Sequence, residues 1–318
     1  SIRGPAAVHS LVGLRPSVPL VSRFGMMPAI PAYDTLGPIT RTVADAAILL
    51  DALAGYDPND PITADSVGRV PDSYRALLDA DALDGARIGV LRKSMDPRTD
   101  PDSEDFAKVR AVVDRAIAEI ASLGAIIIDP IDVPLLDIVD STYSNDLFTT
   151  EQAMNEYLAQ FENAPVSSVR EILVSGSITP KRATSLINVV GKSTDDHARL
   201  DVLLNREQVR QSVIAVMAEA NLDALLYATF DHQTTEIPLD ALTSPANDED
   251  YGRGNNRRLS PVTGLPALTV PAGFTTDGLP VGIELLGRDF SEGELLKLAY
   301  AYEQATQRRR PPETTPPL

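Results

Sequence analysis

RIGVLRKSMDPRTDPDSEDFAKVRAVVDRAIAEIASLGAIII, residues 87–128, is the stretch that decides the fold. Arg87 to Leu91 is a short apolar run of a length that suits a buried strand. After a break rich in Asp and Pro, Phe106, Val109, Val113, Ile117 and Ile120 recur at the spacing of one helix face, which predicts a helix from Ser103 to Leu123. Gly124 ends it, and Ala125 to Ile128 reads as a second strand. Strand, helix and strand in succession predict an α/β fold in which helices cover both faces of a mixed sheet.

Working outward, Thr42 with Asp45 three positions on approximates a capping box, and Val43, Ala46, Ala47, Leu50 and Leu53 keep helical spacing, so residues 42–54 are predicted as a helix. Residues 57–81 read as surface loop. The first forty residues, rich in Gly and Pro, are expected to form ordered loops and short strands around Leu11 to Leu14 and Pro19 to Val21. Residues 146–220 are helix-rich, with breaks at Pro165 and Pro180, and are placed as a cap over the site within a single domain spanning 1–318. Sheet character returns at Asp223 to Ala228, Ala267 to Val270 and Val281 to Leu286, before a last helix through Leu295, Leu298, Ala299 and Tyr302. Arg308 to Arg310 are read as a solvated helix end, and the Pro-rich tail to Leu318 as frayed.

The chain of 318 residues, 43% of them hydrophobic, can bury a full core. Its 45 acidic and 28 basic residues leave a net charge of −17, which repels a phosphate backbone and argues against nucleic acid as a direct partner. No apolar run is long enough to predict a membrane span. Without cysteine there is neither a disulfide nor a thiolate nucleophile, and the three histidines have no metal-pair spacing, so neither metal nor cofactor is expected. Phosphate-loop, dinucleotide, nucleophile-elbow and zinc-protease motifs are missing too, and the Gly252-Arg253-Gly254 fragment is assigned to a flexible loop.

The informative segment is the start. Ser1-Ile2-Arg3-Gly4-Pro5-Ala6 resembles the close of the amidase signature, Gly13-Leu14-Arg15-Pro16 resembles the family's Gly-Leu-Lys-Pro, and Asp34-Thr35-Leu36-Gly37-Pro38 resembles its Asp-Thr-x-Gly-Pro. Far downstream, Thr263-Gly264-Leu265-Pro266-Ala267 through Gly273-Phe274, then Asp277-Gly278-Leu279-Pro280-Val281-Gly282, is similar to that family's C-terminal block. The chain is thereby identified as a member of the amidase-signature family, as a C-terminal portion that opens at the nucleophile.

This resemblance implies a Ser–cis-Ser–Lys amide hydrolase in which Ser1 is acylated. The family's lysine base and relay serine lie upstream of the nucleophile, so the isolated chain is expected to be inactive, with the missing segment on the same enzyme or a second chain. A free Ser1 amine, with a reference pKa of about 7.7 to 8.0, is the one self-contained alternative base. Arg3, Asp34 and Thr35 are assigned as supporting residues; Arg3 and Asp34 are expected to order the nucleophile loop through buried hydrogen bonds. Tyr33 and Asn255 are assigned to substrate binding, with the helical middle third shaping the acyl pocket. Asn256 is held as a neighbour of the same kind, and His9 as a structural residue rather than part of a triad.

A small carboxamide or peptide-like amide is the expected substrate. The competing readings are a non-catalytic fragment or binding module and the amidase component of a tRNA-dependent amidotransferase. A homodimer is left open, as is localisation, with the cytoplasm as the default.

Overall fold

The computed structural model describes residues 1–244 and 252–314. The deciding stretch folds as its periodicity requires. Strand β3 (Arg87–Val90) feeds helix α3 (Glu104–Ser122), which returns the chain to β4 (Ile126–Ile128), parallel to β3. They occupy one end of a seven-stranded mixed sheet.

The other strands are β1 (Val12–Arg15), β2 (Ile39–Thr40), β5 (Ala224–Ala228), β6 (Ala267–Phe274) and β7 (Pro280–Leu286), and the order across the sheet is β2-β1-β6-β7-β5-β3-β4. β7 lies between β6 and β5, antiparallel to both, while β5 and β3 are parallel. β6 runs past the expected Val270 to Phe274, with a register shift between Pro271 and Gly273; Pro cannot donate to a ladder and sits where the pairing is irregular.

Side-chain alternation splits the sheet between two cores. On β5, Ala224, Leu226 and Ala228 face one core, completed by α2 (Val43–Leu53), α3 and α10 (Glu292–Thr306). Leu225 and Tyr227 face the other, completed by α4 (Val139–Asn145), α8 (Ala198–Glu219) and α9 (Leu259–Thr263). Helices α5 (Thr150–Leu158), α6 (Val169–Val174) and α7 (Pro180–Ile187) carry a small cluster of their own around Met154, Val169 and Leu186. No helix among the described residues is long and apolar enough to cross a membrane.

Thr42 caps α2 as predicted, its hydroxyl accepting from the Asp45 amide at 3.1 Å. Three readings are corrected. Loop was expected directly after Ser1, but residues Arg3–Val8 form helix α1, because Gly4 and Pro5 fall in its first turn, where a missing N–H costs nothing. Gly252-Arg253-Gly254 is an ordered turn rather than a flexible loop: both glycines have positive φ, and a Cβ on Gly254 would lie 2.9 Å from the Asp231 amide. The basic run lies past the end of α10 at Thr306 rather than on a helix end, and although Arg310 is exposed the run is not free of partners: Arg308 pairs with Glu119 of α3 and Arg310 lies 3.9 Å from the centroid of the Phe274 ring. The expectation for the last four residues, 315–318, falls outside the described residues.

Helix α1 lies on the sheet at strand glycines. A Cβ on Gly13 of β1 would come 2.6 Å from Ala6 Cβ, and one on Gly282 of β7 would come 2.8 Å from Ala7 Cβ. Gly282→Val is therefore expected to lift α1 and destabilise the fold by about 1 to 3 kcal/mol in denaturant unfolding. An unchanged midpoint would show that α1 is not seated as described.

Candidate active site

Ser1 is exposed, two residues ahead of the start of α1, at a cavity of about 320 Å³. Of the site residues named from sequence, Ser1, Arg3, Tyr33, Asp34, Thr35 and Asn255 line this cavity, and Asn256 does not. Three distant parts of the chain bring them there, namely the entry to α1, the loop between β1 and β2, and the turn ahead of α9.

Arg3 is the anchor. It is the first residue of α1, and its guanidinium is buried against the sheet, paired with Glu284 of β7, and donates to the Arg257 carbonyl at 2.6 Å. The Tyr227 hydroxyl of β5 donates to the same Glu284 oxygen at 2.7 Å. Burial lowers the Arg3 pKa to about 10, and burial likewise raises that of Tyr227. The backbone carrying Ser1 is thus tied to two adjacent strands through one fully buried carboxylate.

Asp34 bonds elsewhere: its carboxylate accepts from the amides of Ala29 at 2.7 Å and Ile30 at 3.0 Å, closing its own turn. Thr35 donates to the Leu36 carbonyl at 3.3 Å. Tyr33 stacks on Tyr143 of α4, with ring centroids 5.2 Å apart, and the stack is sandwiched between Arg206 and Arg258. Burial, and then the charge of Asp146, raise the Tyr33 pKa, so its hydroxyl stays neutral.

Asn255 Oδ1 accepts from the backbone amide and Nε of Arg257, at 3.0 and 2.9 Å, and so fixes that arginine. Asn256, in contrast, points away into the fold. It accepts from the Met95 amide and donates to the Ala228 carbonyl and the Asp231 carboxylate. The His9 ring meets the Pro5 carbonyl of its own helix at 2.7 Å and lies outside the cavity lining.

Sequence reading did not assign Arg15, Tyr143, Arg257 and Arg258, which also line the cavity, or Glu284 behind it, to the site. Arg15 had a signal of its own, a charge inside a four-residue strand that is buried throughout. The local field is positive: burial first, then Arg257, Arg3 and Arg15, lower the pKa of an amine on Ser1 to about 5, against the opposing charge of Asp34. Among the described residues, neither Lys nor His lines the cavity.

The family model described as Amidase matches residues 1–296. A probable amidase of Arabidopsis thaliana is 29% identical over 98% of this chain and 56% of its own length. The A subunit of glutamyl-tRNA(Gln) amidotransferase from Moorella thermoacetica is 31% identical over 98% of this chain and 63% of its own. Among solved structures, the native peptide amidase of Stenotrophomonas maltophilia superposes with a TM-score of 0.80 at 31% identity, covering 98% of this chain and 62% of that one. The chain thus spans between 56% and 63% of the length of these relatives. By sequence along nearly its whole length and by the architecture of its sheet, this chain belongs to the amidase family, the amidase-signature enzymes.

Proposed function

We propose that this chain carries the nucleophile of an amide hydrolase acting on a carboxamide or peptide-like amide. Ser1 Oγ attacks the carbonyl carbon while a base takes the hydroxyl proton. The C–N bond then breaks, the proton leaves with the ammonia or amine, and water releases the acyl group from Ser1. The observation carrying this reading is the convergence of Ser1 with Arg3, Tyr33, Asp34, Thr35 and Asn255 on one cavity.

A serine hydroxyl needs a base within hydrogen-bond reach, and the described lining of the cavity offers no Lys or His. The base and relay serine are therefore assigned to a segment outside these 318 residues, and the isolated chain is expected to be inactive. The amidotransferase reading draws on the relatives that bear that name, but a charge of −17 requires another component to hold tRNA.

A second cavity of about 350 Å³ shares Asp34 with the first and is walled by Tyr157 of α5 and by Phe24 and Met26. Tyr157 donates to the Gly25 carbonyl at 3.2 Å. This contact supports the assignment of the helical segment as a cap that shapes the substrate path. The test is ammonia release from a peptide amide by the enzyme containing this chain: release that is lost when Ser1 is replaced is expected, and a folded enzyme releasing none from peptide amides or simple carboxamides would refute the reading.

A further inference from the structure

The loop between β3 and α3 places no residue on the described lining of the Ser1 cavity, yet it grips the turn that does. Asn255 forms an antiparallel bridge with Phe230, just past the end of β5. In that bridge the Asp231 amide donates to the Gly254 carbonyl at 2.8 Å, and the Asn256 amide donates to the Thr229 carbonyl at 3.3 Å. This register turns the Asn255 amide away from Phe230, and a buried N–H so placed needs an acceptor of its own. The Asp96 carboxylate provides it, at 3.2 Å.

Asp96 is itself firmly held. It is 4% exposed and accepts from the Arg98 backbone amide at 3.0 Å and from the Arg98 guanidinium at 2.8 and 3.1 Å. One residue earlier, the Met95 amide donates to Asn256 Oδ1 at 2.9 Å, a second tie between the loop and the turn. Further along, the Asp100 amide donates to His232 Nε2 at 3.0 Å, and Nδ1 of the same ring meets the Asp105 carboxylate at 2.8 Å. The loop is thus a fixed support rather than a passenger of the turn.

From the turn, contacts run on to the nucleophile. Asn255 Oδ1 accepts from the amide and Nε of Arg257, and the Arg257 carbonyl accepts from Arg3, two residues from Ser1. The Arg257 side chain packs on the first turn of α1 so closely that a Cβ at Gly4 would collide with it. Without the Asp96 carboxylate the Asn255 amide is a buried donor with no acceptor, and the turn must shift to satisfy it. We propose that Asp96 is a positioning residue for the nucleophile: it sets the turn at 254–257 against which α1, and with it Ser1, is registered. This rests on the amide-hydrolase reading and adds to it a residue outside the cavity. Displacing a reacting group by about 1 Å can cost on the order of 10²-fold in rate.

The test is made on the intact enzyme, well below its melting temperature. Asp96→Ala should lower kcat for amide hydrolysis by about 10- to 100-fold with KM within a few-fold of the parent. Asp96→Asn, which keeps an oxygen for the Asn255 amide, should restore kcat to within a few-fold. Thr42→Ala, which removes the cap of α2 outside the cavity, should lower the melting temperature and leave kcat alone. If Asp96→Ala does not fold, Asp96→Glu takes its place, keeping the charge beside Arg98 while moving the acceptor by one methylene, with a loss of kcat again expected. Hydrogen exchange gives a readout apart from turnover: exchange over residues 3–8 and 254–257 should rise in Asp96→Ala and not in Asp96→Asn. Parental kcat and exchange in a folded Asp96→Ala, an Asp96→Asn as slow as Asp96→Ala, or an equal kcat loss in Thr42→Ala would overturn the proposal. If the parent hydrolyses no amide, the amide-hydrolase reading fails, and the exchange of residues 3–8 alone decides whether Asp96 registers α1.

Discussion

Ser1→Ala in the intact enzyme should lower kcat for amide hydrolysis by about 10⁴- to 10⁶-fold, the loss seen when a serine nucleophile is removed and binding and oxyanion donors remain. The fold should be unaffected, because Ser1 is exposed and lies outside α1. A large kinetic loss with an unchanged melting temperature separates the nucleophile from a structural residue. KM should change little, since the cavity walls that bind the substrate are other residues. Activity within a few-fold of the parent would show that the covalent step uses a different group.

Glu284→Ala should have the largest effect on stability of any change near the site. Glu284 is fully buried, pairs with Arg3, and accepts from Tyr227. Truncation leaves the Arg3 cation buried and without its carboxylate, and removing one partner of such a pair typically costs about 3 to 5 kcal/mol. Because Arg3 lies two residues from Ser1, the same change should loosen the nucleophile. Glu284→Gln keeps the shape and an acceptor for Tyr227 while removing the charge, so its effect on unfolding should be smaller and kcat should still fall more than KM rises. Denaturant unfolding and steady-state kinetics on both variants check this. Wild-type stability in Glu284→Ala would show that the pair contributes nothing.

These effects mark where sequence alone could and could not reach. The β3, α3 and β4 succession was legible because its apolar periods are local and its breakers, Pro97, Pro101 and Gly124, fall between elements. Helix α1 was hidden by Gly4 and Pro5, residues that read as breakers but are harmless in a first turn. The strand order was also hidden, since β7 enters between β6 and β5 by antiparallel pairings that no local pattern specifies.

For the site, the family resemblance carried Ser1, Arg3, Tyr33, Asp34, Thr35 and Asn255, which the fold gathers on one cavity. Glu284 was not legible because its partner is 281 residues away in the chain, and a single acid in an apolar strand looks the same whether it faces water or a buried cation. Arg257 was passed over although it adjoins the Asn255-Asn256 pair. Its importance comes from the neighbours that fix it, Asn255 and Phe230, and from its contact with α1.

The most direct test of the account is to treat the intact enzyme with a fluorophosphonate probe and map the modified residue by peptide mass spectrometry. One adduct, on Ser1, absent in Ser1→Ala and appearing in parallel with loss of ammonia release, is the predicted result. An enzyme that releases ammonia while its adduct falls on another residue, or that labels equally well as Ser1→Ala, would contradict it.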